Sequence, residues 1–523
     1  MLRVGPSTDA VRWSNGMVAS LVRLSRGSGR RHRFAVKIVG RWMITLIAWA
    51  GLARASYCKT IPTHKIETLK VEGAVCGCAA ADVNGDDRKD VLVFYTKGDA
   101  DLTKYVAAFV ASTSYRYNPK PDAVLPLDAE TAIIGIDDLD GDGLTEIVAC
   151  RSQLVQFYHW DDTTGQFGLS TTLKTRETLV PDSTIDPVVR SLFADLNDDG
   201  LKDLILPNAR GYAVFLQDQT GFPSSPTTVV EVDIESGVVV DATLDSTTVR
   251  FSLPRLVLHD LDGDGVDDIL LASKRQVAAA SGTSNGTFPL HTYTFDVPLE
   301  FHEEWMVFYN AEDFNGDGNM DLFYHQLSGT SISKVASEVS IFLGKSGPEF
   351  PAKPDHVFAD RGGATLPFFL DVDANGSKDL VLARINLGVS FFLNYLLRHK
   401  VSFEIEARLV QPDGTYAEKP SLSTKLSFDV PEAREQPIRA GGDFDGDGLL
   451  DFAFATGKDT VAVFLGEKGR LFSGDPDFEV SVEAYGNCSV ADIDRNAAKD
   501  LLISYERGKK ENCVRVVLFA PAG

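Results

Sequence analysis

An acidic nine-residue pattern that returns eight times, a nearly regular spacing between copies, and a short apolar segment after each copy together predict an all-β chain folded as an eight-bladed β-propeller. The pattern reads Asp, any, Asp or Asn, any, Asp or Asn, usually Gly, any, any, Asp or Glu. Its copies begin at Asp82, Asp138, Asp195, Asp260, Asp313, Asp371, Asp443 and Asp492, at spacings of 56, 57, 65, 53, 58, 72 and 49 residues. Each interval holds four strands of about five or six residues plus turns. Repetition on this scale marks units that bury their apolar faces against neighbouring copies. Radial stacking of small sheets achieves that while protecting most strand edges.

Each loop brings oxygen ligands together. Position 1 is the aspartate that opens each copy. Position 3 is Asn84, Asp140, Asn197, Asp262, Asn315, Asp373, Asp445 and Asp494. Position 5 is Asp86, Asp142, Asp199, Asp264, Asp317, Asn375, Asp447 and Asn496, and position 9 is Asp90, Glu146, Asp203, Asp268, Asp321, Asp379, Asp451 and Asp500. Side-chain oxygens at these positions and a backbone carbonyl at position 7 suit a hard cation such as calcium, which takes six to eight oxygens. The glycine usual at position 6 permits the sharp turn. An EF-hand would need a Glu at position 12 and flanking helices. Position 12 here is Val93, Ala149, Leu206, Leu271, Tyr324, Leu382, Phe454 or Ile503, and the flanks are β-type apolar runs. The loops are therefore expected at hairpin tips. Those at Asp260 and Asp443 carry four carboxylates and are expected to bind most tightly. The loop at Asp492, with Asn496 for a carboxylate and Ala497 for the turn glycine, is expected to be the weakest.

A second recurring signature follows most loops: an apolar strand, a glycine-containing turn and a Phe. Ile341-Phe342-Leu343-Gly344 leads to Phe350, Val463-Phe464-Leu465-Gly466 leads to Phe472, and Val214-Phe215-Leu216 leads to Phe222. With these turns the loops resemble FG-GAP/VCBS repeats, the blades of the integrin α-subunit propeller and of many secreted proteins, across residues 64–523. A looser similarity is to the T-cell immunomodulatory protein group. The resemblance implies fold and calcium but no single activity, since the family spans adhesion subunits, lectins and lyases. It often uses seven blades, so a seven-bladed ring with one repeat set aside is the alternative.

Counting strands from the last loop leaves the final blade one strand short, while His64–Val71 precedes the first loop with no blade of its own. The expected closure pairs this N-terminal segment with Val514–Phe519. Cys78 and Cys488 both lie four residues before a loop, in inner strands of neighbouring blades, so a bond between them is conceivable; buried thiols are the other reading.

Residues 1–55 hold ten Lys/Arg and one acidic residue, a net of +9 in a chain of net −23, leaving −32 for the remainder. The apolar run Met43 to Leu52, followed by Ala53-Arg54-Ala55, matches a secretory signal with its cleavage site, and ten residues are too few to span a bilayer of about 20. The expected divisions are a signal or basic extension over 1–55 and the propeller over 56–523, in a secreted, extracellular or periplasmic protein without a transmembrane helix in the mature chain. Mitochondrial import is the alternative. The acidity excludes nucleic acid as a natural partner. Asn285-Gly286-Thr287 and Asn487-Cys488-Ser489 match the glycosylation sequon, the first at a turn and the second in a strand.

No catalytic constellation emerges. The histidines at 64, 159, 259, 291, 302, 325, 356 and 399 show no zinc spacing, and no Gly-x-Ser-x-Gly elbow is present. The leading reading is an interaction or adhesion scaffold without catalysis, binding an extracellular protein or glycan. A lectin is the alternative, although Trp160 and Trp305 are the only tryptophans after the leader; a polysaccharide lyase or hydrolase is the further one. The two longest intervals make residues 228–250 and 396–437 the expected partner-facing loops.

Overall fold

In the computed structural model the described residues run from 61 to 521, with short internal stretches left out, among them 181–185, 241–246, 329–334, 430–437 and 506–511; side chains of 233–253 are also left out. The leader expected over residues 1–55 lies outside the described residues. All of the named elements are strands. They form eight four-stranded antiparallel meanders, the second extended by a short parallel strand and the eighth completed by the N-terminal strand, and two extra two-stranded sheets. A buried apolar cluster fills each seam between successive blades, including the seam from the last blade to the first. The molecule is an eight-bladed β-propeller.

The strand compositions follow from their radial positions. Second strands are enclosed on both faces by neighbouring blades, so they read as unbroken buried runs rather than alternating ones. Asp90–Lys97, Asp268–Ala272 and Asp500–Ser504 are buried in this way. Outer strands meet water on one side and alternate, as Ala123–Leu127 does.

Closure occurs as the sequence predicts. His64–Lys70 pairs antiparallel with Cys513–Phe519 from His64↔Phe519 to Lys70↔Cys513, and becomes the outer strand of the eighth blade. Leu69 is fully buried there. The bond considered between Cys78 and Cys488 is not made. Equivalent positions in a rotationally repeated ring point the same way round it. Cys78 therefore packs into the seam between blades eight and one, and Cys488 into that between blades seven and eight.

Up-and-down meanders divide the connections between two faces. First-to-second and third-to-fourth turns share one face, which carries all eight acidic loops. Second-to-third turns and blade-to-blade crossings lie on the other. The long connections collect on that opposite face. One contains the separate hairpin of Glu235–Val240 and Thr247–Ser252. Another contains Val188–Val189, which pairs parallel to the inner strand Ile133–Asp137 of the second blade. The expectation for 396–437 needs correction. Lys400–Arg408 and Leu422–Asp429 are the third and fourth strands of the sixth blade. The additional length lies instead before and after them, within 387–399, which joins the second strand to the third, and 430–437, which leads to the seventh blade, because the third and fourth strands must pair to complete the sheet.

Candidate metal centres

All eight loops fold in one register. The residue before position 1 pairs with position 9 every time, from Ala81↔Asp90 and Asp137↔Glu146 through Gly442↔Asp451 and Ala491↔Asp500. Positions 4 and 6 both adopt positive φ in all eight loops, whereas the sequence reading picked out only position 6. The signal for position 4 was available in Gly85, Gly141, Gly263, Gly316 and Gly446. Left-handed backbone costs an ordinary residue about 1–2 kcal/mol. The last loop bears this twice, at Arg495 with φ 56° and Ala497 with φ 77°. Ala497→Gly is expected to stabilise the protein by about 1 kcal/mol, read as a higher denaturation midpoint in the same denaturant series.

The side chains of each loop organise its backbone. The position-1 carboxylate accepts the N–H groups of positions 4 and 6, as Asp260 does from Gly263 at 2.7 Å and Gly265 at 2.9 Å. Position 5 accepts the N–H of position 7 in every loop, including Val266 to Asp264 at 2.9 Å and Ala498 to Asn496 at 2.9 Å. These bonds hold the acidic groups inward despite their repulsion. In five loops a carboxylate oxygen from each of positions 1, 3 and 9 lies within 4.8 Å of the others: Asp138, Asp140 and Glu146; Asp260, Asp262 and Asp268; Asp371, Asp373 and Asp379; Asp443, Asp445 and Asp451; Asp492, Asp494 and Asp500. The loops opening at Asp82, Asp195 and Asp313 place Asn84, Asn197 and Asn315 at position 3, each donating to the position-5 carboxylate.

The donor set fits a hard cation. Asp492 Oδ1, Asp494 Oδ1 and Asn197 Oδ1 are buried without a hydrogen-bond partner, although buried polar atoms are otherwise almost always satisfied. All three are oxygens at loop position 1 or 3, where a cation would meet them. Carboxylate and amide oxygens without thiol or imidazole suit calcium over zinc.

Position 9 does more than offer an oxygen to a cation. Its second oxygen crosses to the chain leaving the third strand. Asp321 accepts Phe314 N at 3.1 Å and Gly344 N at 2.8 Å; Asp451 accepts Phe444 N at 2.6 Å and Gly466 N at 2.7 Å. Asp90, Asp203, Asp268, Asp379 and Asp500 repeat the staple. Burial pushes these acids up, to about 7 for Asp321 and about 8 for Asp451, against the opposing pull of the two N–H groups. The arrangement also explains the glycine of the Phe-Leu-Gly signature. A Cβ on Gly344 would lie 2.0 Å from the Met320 carbonyl, and one on Gly466 2.7 Å from that of Leu450. Gly344→Ala is expected to cost about 3 kcal/mol or more, as a backbone clash beside a buried carboxylate. Urea unfolding with and without calcium measures it, and the loss is expected in both.

Neighbouring loops are linked around the ring. Position 8 donates its N–H back to the preceding loop: Thr145 to Asp82 O at 2.8 Å, Lys202 to Leu139 O at 2.9 Å, Lys378 to Phe314 O at 3.2 Å and Lys499 to Asp443 O at 2.6 Å. At the closing seam Arg495 and Asp87 form an ion pair of 2.7 Å. His259 donates from Nε2 to Gly318 O of the next loop at 3.0 Å. Asn496 also has a further role, since its Nδ2 holds Phe519 O at 2.6 Å. Asp264→Ala and Asp447→Ala are therefore expected to remove more calcium-dependent stability than Asn496→Ala, whose cost persists in EGTA. Eight equal sites in a calcium titration would contradict the ranking.

These features define a propeller whose blades each present an acidic, cation-type loop. Residues 138–206 and 260–324 match the FG-GAP-like repeat. No curated protein matches the chain. Similar solved structures include the V. cholerae biofilm matrix protein Bap1, 14% identical over 87% of this chain and 91% of that one, with a TM-score of 0.33. A lectin of Agrocybe aegerita that recognises non-reducing terminal N-acetylglucosamine is 15% identical over 86% of each chain, with a TM-score of 0.35. The Dos1 propeller is 10% identical over 87% of this chain and 95% of that one, with a TM-score of 0.39. Among the described residues no helix is long and apolar enough to cross a membrane.

Proposed function

We propose that this protein is a secreted, calcium-stabilised interaction scaffold that engages an extracellular protein or glycan through the face opposite its acidic loops. The division of the two faces carries this reading. One face is uniform, with every loop in the same register and its side chains committed to backbone and cation. The other gathers the irregular connections, including the hairpin within 235–252, and irregular loops on a rigid frame are where recognition concentrates. Calcium then acts through the fold rather than as a bridge to the partner.

Among the described residues, several groups that catalysis could use are engaged otherwise. The strongly shifted carboxylates all belong to the acidic loops, at position 9 and, in Asp445, at position 3. His325 is buried, held low at about 4 by that burial, and bonded to Ser337 Oγ at 2.9 Å. Trp160 is buried against Phe167 rather than offered as a sugar platform.

The test is capture from the native extracellular milieu on immobilised protein, comparing the wild type with a variant whose residues 235–252 are replaced by a short Gly-Ser linker. Loss of a protein partner at unchanged melting temperature supports the scaffold. Binding to defined glycans on an array favours the lectin, and turnover of a polysaccharide favours the enzyme. Capture that follows substitutions in the acidic loops while ignoring the opposite face overturns the assignment of faces.

A further inference from the structure

The turn joining the third and fourth strands of the fourth blade, on the loop face, carries Asn285-Gly286-Thr287. Asn285 is exposed at its tip. Its Oδ1 accepts the hydroxyl of Thr287 at 2.8 Å and that of Thr283, while the Thr283 and Thr287 hydroxyls lie 2.8 Å apart. Among the described residues Asn285 Nδ2 has no hydrogen-bond partner, so the turn uses the oxygen of this amide and leaves its nitrogen. Gly286 has φ 69°, and a Cβ there would meet Leu216 at 2.6 Å and Asn197 at 3.3 Å. The turn is thus seated on the third blade and its acidic loop, with Asn285 outermost.

We propose that Asn285 is an acceptor for an N-linked glycan. The inference rests on the secretory reading of the chain. The donor class is an oligosaccharide on a polyprenyl diphosphate. Asn285 Nδ2 forms a C–N bond to the anomeric carbon, and the anomeric C–O bond breaks. The polyprenyl diphosphate leaves with that electron pair, and the displaced amide proton passes to a base of the transferase. Transfer takes place on the extended chain, so the folded structure selects where a glycan can be carried. Asn285 meets both requirements, exposure and an uncommitted nitrogen.

The chain's two other matches are placed differently, one within a sheet and the other, exposed like Asn285, inside an acidic loop. Asn487 lies in an inner strand paired with Ser504. Asn375-Gly376-Ser377, which the sequence reading missed, lies within the sixth loop, where Asn375 occupies position 5 and accepts Ser377 N at 2.8 Å. A glycan at Asn285 would stand over the third acidic loop, on the face already committed to cations. The opposite face would remain open to a partner.

The experiment expresses the full chain in eukaryotic secretory cells behind its own leader and, in parallel, residues 56–523 behind an established leader. The medium is then digested with peptide N-glycosidase. The wild type is expected to shift by at least one glycan; Asn285→Gln and Thr287→Ala each remove one glycan from the shift, and Thr287→Ser retains it. Asn285→Asp, which keeps the oxygen that closes the turn but lacks the nitrogen, is expected to lose the same glycan while keeping the wild-type melt. A secreted wild type without any shift overturns the proposal, as does an Asn285→Asp variant shifting like wild type. Glycosylation at Asn285 behind the established leader, with the native leader retaining the chain inside the cell, supports the acceptor and counts against the secretory reading instead.

Discussion

Chelation with EGTA is expected to lower the melting temperature by on the order of ten degrees or more, with recovery on adding calcium and little recovery with magnesium. Each site filled at a hundredfold excess over Kd contributes about 2.7 kcal/mol by linkage. Several such sites outweigh the net stability typical of a domain, about 5–15 kcal/mol. Magnesium demands a smaller octahedral shell than these loops provide.

The pH dependence of the chelated protein gives an independent check. Burial pushes Asp90, Glu146, Asp321 and Asp500 up to about 7, Asp451 to about 8, and Asp203 and Asp379 to about 6. Their unfolded values lie near 4, so the folded chain binds more protons in this range. That contribution is fully present below about pH 4 and is lost as pH rises through 6 to 8. His325, held near 4 by burial, works the other way below its ordinary 6.5, as do His64 and His356, which burial also lowers, but the raised carboxylates outnumber them. In EGTA the melt is expected to rise from pH 8 to pH 5. With saturating calcium, which competes with those protons, that rise is expected to disappear. An unchanged melt in EGTA, with no metal by elemental analysis, removes calcium from the account.

Deleting residues 61–72 is expected to be the most damaging small truncation. It takes away the outer strand of the eighth blade and the seven register pairs from His64↔Phe519 to Lys70↔Cys513. The loss bares the edge of Cys513–Phe519, an open template for pairing with other chains. It also removes Leu69 from the seam between blades eight and one. Leu69→Ala alone is expected to cost about 2–5 kcal/mol, the usual range for a buried leucine. The deletion is expected to exceed that, with a lower midpoint and concentration-dependent association by light scattering. A truncated chain that melts like the full one would mean that the ring does not depend on this strand.

Much of this architecture is legible in the sequence because its chemistry is local. A carboxylate at position 1 accepts N–H groups three and five residues on, as Asp443 does from Gly446 and Gly448. Such a bond leaves its mark within nine residues, and eight copies reveal the blade. The closure was legible for the same reason: a strand count that came up short at Phe519 and in excess at His64.

Only the tertiary structure decided what depends on residues far apart. Asp321 reaches Gly344 across 23 residues, and Asn496 reaches Phe519 across as many. No short pattern distinguishes those second roles from ligation. The direction in which Cys78 and Cys488 point follows from rotational equivalence, which strand position by itself does not express. The extra length near 396–437 was assigned to loops because spacing counts residues without saying which of them pair. The sequence thus determined the repeating unit, its acidic loop and the number of blades, through bonds that close within one hairpin. The ring decided which side chain joins one blade to another, because those contacts exist only after all eight blades have met.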